Sequence, residues 1–217
     1  MSVVSNPYIS KLFCVANKNV LITGGSRGIG KMIATAFVQA GANVLITSRS
    51  EQQCQETAQL VNQQVQAAKS SAGKCYYVAS NVSTREGCDE LVQYTSNLFD
   101  SKLHVLINNA GTSWGEPLSR NSSTKSNWGF DKVLDLNVKG MFYLTRACIP
   151  LLTGRPMNGD DDNESSGHAT LQDPSRIINI GSIAGMTPQE APTHAYDISK
   201  AAVHHLTRKL AGKFPLL

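Results

Sequence analysis

Tyr196 and Lys200 stand four residues apart in Tyr196-Asp197-Ile198-Ser199-Lys200, at the head of an apolar, helix-like stretch. On a helix this spacing puts both side chains on one face, one turn apart. An ammonium so placed stabilises a phenolate that otherwise forms near pH ~10. The pair suits acid–base work at a carbonyl or alcohol, although ordinary solvated helices carry the same spacing. Segments upstream supply the context.

Thr23-Gly24-Gly25-Ser26-Arg27-Gly28-Ile29-Gly30 lies between an apolar run and a helical pattern. Glycines let the chain turn sharply and approach a pyrophosphate, which a helix N-terminus then favours. Gly24, Ser26, Arg27, Gly28, Ile29 and Gly30 are the candidates for that contact. The spacing is GxxxGxG rather than GxGxxG, and a glycine-rich connector is the alternative. The next apolar run leads into Thr47-Ser48-Arg49-Ser50, with no acid until Glu51. An NAD site usually places an acid there for the ribose 2′-hydroxyl. Arg49 and Arg27 suit a 2′-phosphate instead, which points to NADP; two surface arginines are the alternative. Asn108-Asn109-Ala110-Gly111 closes another apolar run. Its small residues let the backbone approach a ribose or nicotinamide, or form a plain turn. Ile180-Gly181-Ser182 puts a hydroxyl where it could bond a substrate carbonyl or cap a helix.

These segments need elements to hold them. Apolar runs at 20–22, 44–46, 75–79, 105–107 and 177–180 read as strands. Helical patterns occupy 28–40, 52–68, 85–99 and 195–210, with a long helix over 128–149 stopped near Pro150. Short continuous apolar strands between helices predict a parallel sheet covered on both faces. The fold class is a doubly wound α/β domain of the Rossmann type, about five strands wide, with ligands beyond the strands' carboxyl ends. A Ser/Asn-rich loop runs over 112–126. The segment 153–173, with Asp160-Asp161-Asp162, reads as a mobile surface insertion and a solvated loop rather than a cation site.

The chain of 217 residues suits a single domain spanning 1–217. It is 41% hydrophobic and 17% charged, ordinary for a globular protein. The net charge of +4 comes without a Lys/Arg run, so no nucleic-acid patch is expected. Cys14, Cys54, Cys75, Cys88 and Cys148 are scattered and form no CxxC pair. That argues against a disulfide framework or metal site and for a reducing compartment, the cytoplasm. Residues 1–18 carry no signal-peptide pattern, and nothing approaches the ~18 continuous apolar residues of a membrane span.

Together, the glycine turn, Asn-Asn-Ala-Gly, the serine and Tyr-x-x-x-Lys resemble the short-chain dehydrogenase/reductase family over about Lys18 to Lys213. Thr112-Ser113-Trp114-Gly115 and the stretches 177–185 and 195–202 are similar to the branch of 3-oxoacyl-[acyl-carrier-protein] reductases of rhamnolipid biosynthesis. The resemblance implies an NADPH enzyme of fatty acid metabolism acting on a small-molecule or acyl-thioester substrate. It makes Tyr196 the general acid of ketone reduction, with Lys200 lowering its pKa and holding the nicotinamide ribose. Ser182 would orient the carbonyl, and Asn137 would support a proton-relay water. Asn81-Val82 takes the adenine-contact position, with Asn where Asp is frequent. Asn109, Ala110 and Gly111 complete the cofactor set. A homo-oligomer through the long helix over 128–149 is also implied. His204 and His205 read as ordinary helix residues, and His194 as a pocket neighbour without a role.

Family members continue with two more strands and a substrate-covering loop, for which this sequence has no counterpart. That implies an incomplete C-terminal side, with strand 177–180 at a sheet edge. Two readings follow: an NADPH-dependent carbonyl reductase, or a catalytically incompetent dinucleotide-binding or interaction protein.

Overall fold

Three strands share one tripeptide: Val20-Leu21-Ile22, Val44-Leu45-Ile46 and Val105-Leu106-Ile107. The computed structural model, which describes residues 14–67, 73–117, 128–154 and 174–213, aligns all three side by side. Val20 pairs with Val44 and Val105, Leu21 with Leu45 and Leu106, and Ile22 with Ile46 and Ile107. Strand side chains alternate faces, so each Val and Ile points one way and each Leu the other. Two separate cores result, one built on the valines and isoleucines and one on the leucines. Burying each such side chain contributes about 1.5–3 kcal/mol.

The strands are β1 (Asn19–Thr23), β2 (Asn43–Ser48), β3 (Cys75–Ala79), β4 (Val105–Asn108) and β5 (Arg176–Asn179). Their order is β3-β2-β1-β4-β5, and every pairing is parallel. The doubly wound α/β expectation therefore holds. Helices α1 (Gly28–Gln39) and α2 (Glu51–Ala67) cover the Val/Ile face through Ala34, Val38, Ala58 and Val61. Helices α3 (Arg85–Leu98) and α5 (Met141–Thr153) cover the Leu face through Leu91, Val92, Leu144 and Leu152. The remaining helices are α4 (Trp128–Leu134) and α6 (His194–Lys213). Strand β5 pairs only with β4 among the described residues, and Ile178 is 41% exposed, as expected of an edge.

Two details differ from the sequence expectation. The long helix is not uniform: a π turn, Asp135–Gly140, joins α4 to α5 and carries Asn137. Such widened turns recur at functional sites. Nor does the helix stop near Pro150. It continues to Thr153, because a proline in the last turn loses only one backbone bond. Gly154 then ends it at φ 69°, its N–H reaching the Pro150 carbonyl at 2.9 Å. Thr153 thus belongs to the helix, and the rest of the expected insertion, 155–173, lies outside the described residues. So do 118–126 of the Ser/Asn-rich loop.

Candidate active site

The carboxyl ends of β1 to β4 open into a cleft of about 530 Å³. Its lining gathers every predicted cofactor residue from the glycine turn, together with Arg49, Asn81, Val82, Asn109, Ala110 and Gly111. Tyr196 and Lys200, also expected to touch the cofactor, do not line this cleft; they stand with Ser182 and Asn137 beyond its Gly111 end.

The turn after β1 is built by close approach. Gly24 lies at φ 65°, and a Cβ there would come 3.0 Å from Ala110 Cα. A Cβ on Gly30 would collide with the Gly24 carbonyl and the Asn109 side chain. Asn109 donates its amide to the carbonyls of Thr23 (2.9 Å) and Gly24 (3.2 Å). Thr23 Oγ1 in turn accepts the Asn109 and Ala110 N–H groups at 3.1 and 3.0 Å. The Asn109 carboxamide therefore staples the β1 and β4 exits together. Ser26 is nearly buried, and its carbonyl accepts the Thr57 hydroxyl at 2.7 Å.

Several observations fit a dinucleotide. Arg27 and Arg49 are exposed on the cleft, and no side chain caps the start of α1. Thr47 Oγ1 is buried in the lining without a hydrogen-bond partner. An unsatisfied hydroxyl of this kind is costly without a ligand or water. At the far wall the Asn81 carboxamide oxygen already accepts both the Ser83 hydroxyl at 2.7 Å and the Ser83 N–H at 3.3 Å, so only its NH₂ remains to meet a base.

The second cluster is organised by α6. Asn137 is buried and gives its NH₂ to the Thr112 carbonyl and to Ser199 Oγ, both at 2.9 Å, while its oxygen accepts the Thr112 N–H. Ser199 Oγ donates a hydrogen bond to the Tyr196 carbonyl at 2.7 Å. Lys200 Nζ donates to the Ile180 carbonyl at 2.6 Å and lies 5.7 Å from the centroid of the Tyr196 ring. Burial lowers the Lys200 pKa from its ordinary value. Ser182 Oγ accepts the Ala184 N–H at 3.2 Å, capping a 3-10 turn, Ile183–Gly185, so its own proton is free to donate. Asn108 reaches Thr145 at 3.0 Å and Asn179 at 2.8 Å, and Asn179 reaches Thr207 on α6 at 2.9 Å. That chain of amides fixes α6 over the β4 and β5 exits.

The model of the short-chain dehydrogenases matches residues 18–215. The chain belongs to the short-chain dehydrogenase family. As a member it is an oxidoreductase. The rhamnolipids biosynthesis 3-oxoacyl-[acyl-carrier-protein] reductase of Pseudomonas aeruginosa is 38% identical over 92% of this chain and 68% of that protein. The RhlG/NADP active-site complex of the same organism superposes with a TM-score of 0.76 at 36% identity, over 93% of this chain and 69% of that one. The NADH-dependent reductase A1-R′ responsible for alginate metabolism gives 0.74 at 25% identity, over 93% and 73%. Among the described residues no helix is long and apolar enough to cross a membrane, and no His, Cys, Asp and Glu group could hold a metal.

Sequence reading of this short-chain dehydrogenase missed Thr57, Ser199 and His204. Thr57 sits on a Gln-rich, mostly exposed helix, and nothing local marks it as the partner of Ser26. His204, read as an ordinary helix residue, instead accepts the Ser182 N–H through Nε2 at 3.3 Å. Its distance from Tyr196, two helical turns, was the available signal.

Proposed function

We propose that this chain is an NADP-dependent carbonyl reductase and alcohol dehydrogenase that acts on 3-oxoacyl thioesters, with Tyr196 as the acid. The observation that carries the reading is the buried Lys200 ammonium, anchored on the Ile180 carbonyl 5.7 Å from the Tyr196 ring. Arg49, exposed where an acid would select NAD, and Arg27, exposed on the same cleft, would hold the 2′-phosphate of NADP. The glycine turn and Thr47 would hold the pyrophosphate and adenosine side. When bound, the nicotinamide supplies the hydride.

The protein's own part is to orient the carbonyl and move a proton. Ser182, its Oγ engaged by Ala184, would donate its hydrogen to the carbonyl oxygen. Tyr196 would give its phenolic proton to that oxygen as negative charge grows there. Lys200 would steady the charge left behind. Asn137, with both amide hydrogens engaged, would hold the Thr112 segment and α6 at a set separation. The likeness to the P. aeruginosa reductase supports the thioester substrate and a place in fatty acid metabolism. A homo-oligomer through α4 and α5 belongs to the same reading, with exposed Phe142 as a contact.

A second reading is binding without turnover. Beside Ser182, Ile183 is 68% and Met186 75% exposed, so this flank is open to water. Hydride chemistry gains from exclusion of water.

One experiment separates the two. NADPH oxidation is followed with a 3-oxoacyl thioester, alongside NADPH and NADH binding. Turnover by the wild type and a loss of about 10²–10⁴-fold in Tyr196→Phe, with NADPH binding kept, supports the reductase. Full turnover by Tyr196→Phe sinks the mechanism. NADPH binding with no turnover by the wild type supports the second reading.

A further inference from the structure

The chain leaves the sheet just before Ser182. The last ladder bond runs from the Ile180 N–H to the Asn108 carbonyl at 3.0 Å, and the 3-10 turn begins at Ile183. Two side chains of α6, one helical turn apart, grip the intervening residues. Lys200 donates to the carbonyl of Ile180, and His204 Nε2 accepts the N–H of Ser182. The polarities are matched and cannot be exchanged, since an ammonium only donates. Between them, a Cβ on Gly181 would collide with His204 Nε2 and come 2.9 Å from Cδ2. The imidazole therefore lies directly against the Gly181 backbone and constrains it sterically as well as through the hydrogen bond.

We infer that His204 is the positioning residue for Ser182: its ring, packed on Gly181 and accepting the Ser182 N–H, sets where the serine hydroxyl stands. The inference rests on the reading of Ser182 as the group that orients the carbonyl. For Nε2 to accept, the ring is neutral and its proton is on Nδ1. Tyr196, Lys200 and His204 then form one stripe of α6, and the same helix that carries the acid also holds the Ser182 backbone. A shift of the reacting groups by about 1 Å can cost about 100-fold in rate. Coupling both groups to one rigid helix guards against such a shift.

The test uses the full chain and three readouts. Ring nitrogen spectra report the His204 tautomer, and hydrogen exchange reports protection of the Ser182 amide. Steady-state kinetics with NADPH and a 3-oxoacyl thioester compare the wild type with His204→Leu and His204→Gln. Expected are the Nδ1–H tautomer and a protected Ser182 amide in the wild type. His204→Leu should speed that amide's exchange and lower kcat about 10- to 100-fold, with NADPH affinity unchanged. His204→Gln, whose side-chain oxygen can accept in place of Nε2, should recover most of the rate. An Nε2–H tautomer, an unprotected Ser182 amide, or an unchanged kcat in His204→Leu would overturn the inference. If the wild type binds NADPH but reduces nothing, the reductase reading falls instead, and the tautomer and amide exchange still decide whether His204 holds Ser182.

Discussion

Asn137 Nδ2 stands 2.9 Å from Ser199 Oγ, in a buried contact between residues 62 apart in the chain. The same carboxamide makes two bonds to the Thr112 backbone, so three segments meet at one side chain. The π turn carries this asparagine, and α6 carries both the serine it meets and Tyr196.

Replacing Asn137 with Leu leaves the Thr112 N–H and carbonyl and the Ser199 hydroxyl without this partner. Each lost bond that strands a buried group costs about 1–3 kcal/mol. The expected outcome is a melting temperature lowered by at least about 5 °C, the size implied by ~2 kcal/mol in a domain of this length. A thermal melt of Asn137→Leu equal to the wild type would show that the contact contributes nothing.

Thr57→Val keeps the shape of the side chain and removes the donor to the Ser26 carbonyl. The glycine turn should then be less ordered before it meets the cofactor. A loss of about 1 kcal/mol corresponds to roughly fivefold weaker NADPH binding. Isothermal titration measures it, and an unchanged dissociation constant counts against a role for Thr57 in shaping the turn.

His104 Nδ1 accepts the Asn19 N–H at 2.9 Å, and its pKa is pushed down to about 4, first by burial and then by the charges of Lys18 and Lys102. A free histidine titrates near 6.5. The folded pKa is the lower one, so between these values the unfolded chain binds more protons than the native one. Stability from this group is complete above pH ~6.5 and is lost as pH falls towards about 4. The ring is partly solvated, so screening leaves an effect of about 1 kcal/mol. His104→Asn should flatten that part of the stability–pH curve. A wild-type curve with no fall in this range contradicts the assignment.

The cysteines predict a labelling pattern. Cys14 is exposed, whereas Cys54, Cys75, Cys88 and Cys148 are buried. Burial pushes the Cys75 thiol up to about 12 and Cys88 to about 11, and Cys148 is raised as well. Thiolate is the reactive form, so these groups are inert in the native state. Mass spectrometry after iodoacetamide at pH 8 should find one label on the folded protein and five on the unfolded chain. Rapid native labelling at Cys75 or Cys88 would refute the packing around β3 and α3.

The short-range features were legible because local rules govern them. Val20-Leu21-Ile22 and its two repeats announce buried strands by composition, and their common register follows from pairing like faces. The glycine turn and the Tyr196–Lys200 spacing are likewise properties of a few adjacent residues. The end of α5 is not legible from Pro150, which forbids one backbone bond and not the turn that follows; Gly154 is the stop.

The pairing of distant polar groups emerges only when the elements are packed. Asn109 looked like a small residue yielding space to a ligand, yet its carboxamide is spent on the Thr23 and Gly24 carbonyls 86 and 85 residues away. Ser199, Thr57 and His204 look like any helix polar residue until α6 and α2 are docked on the sheet. Composition and spacing were enough for the family and the strands. Packing decided which side chains meet, because a hydrogen bond is set by distances of tenths of an ångström and no local pattern carries that information.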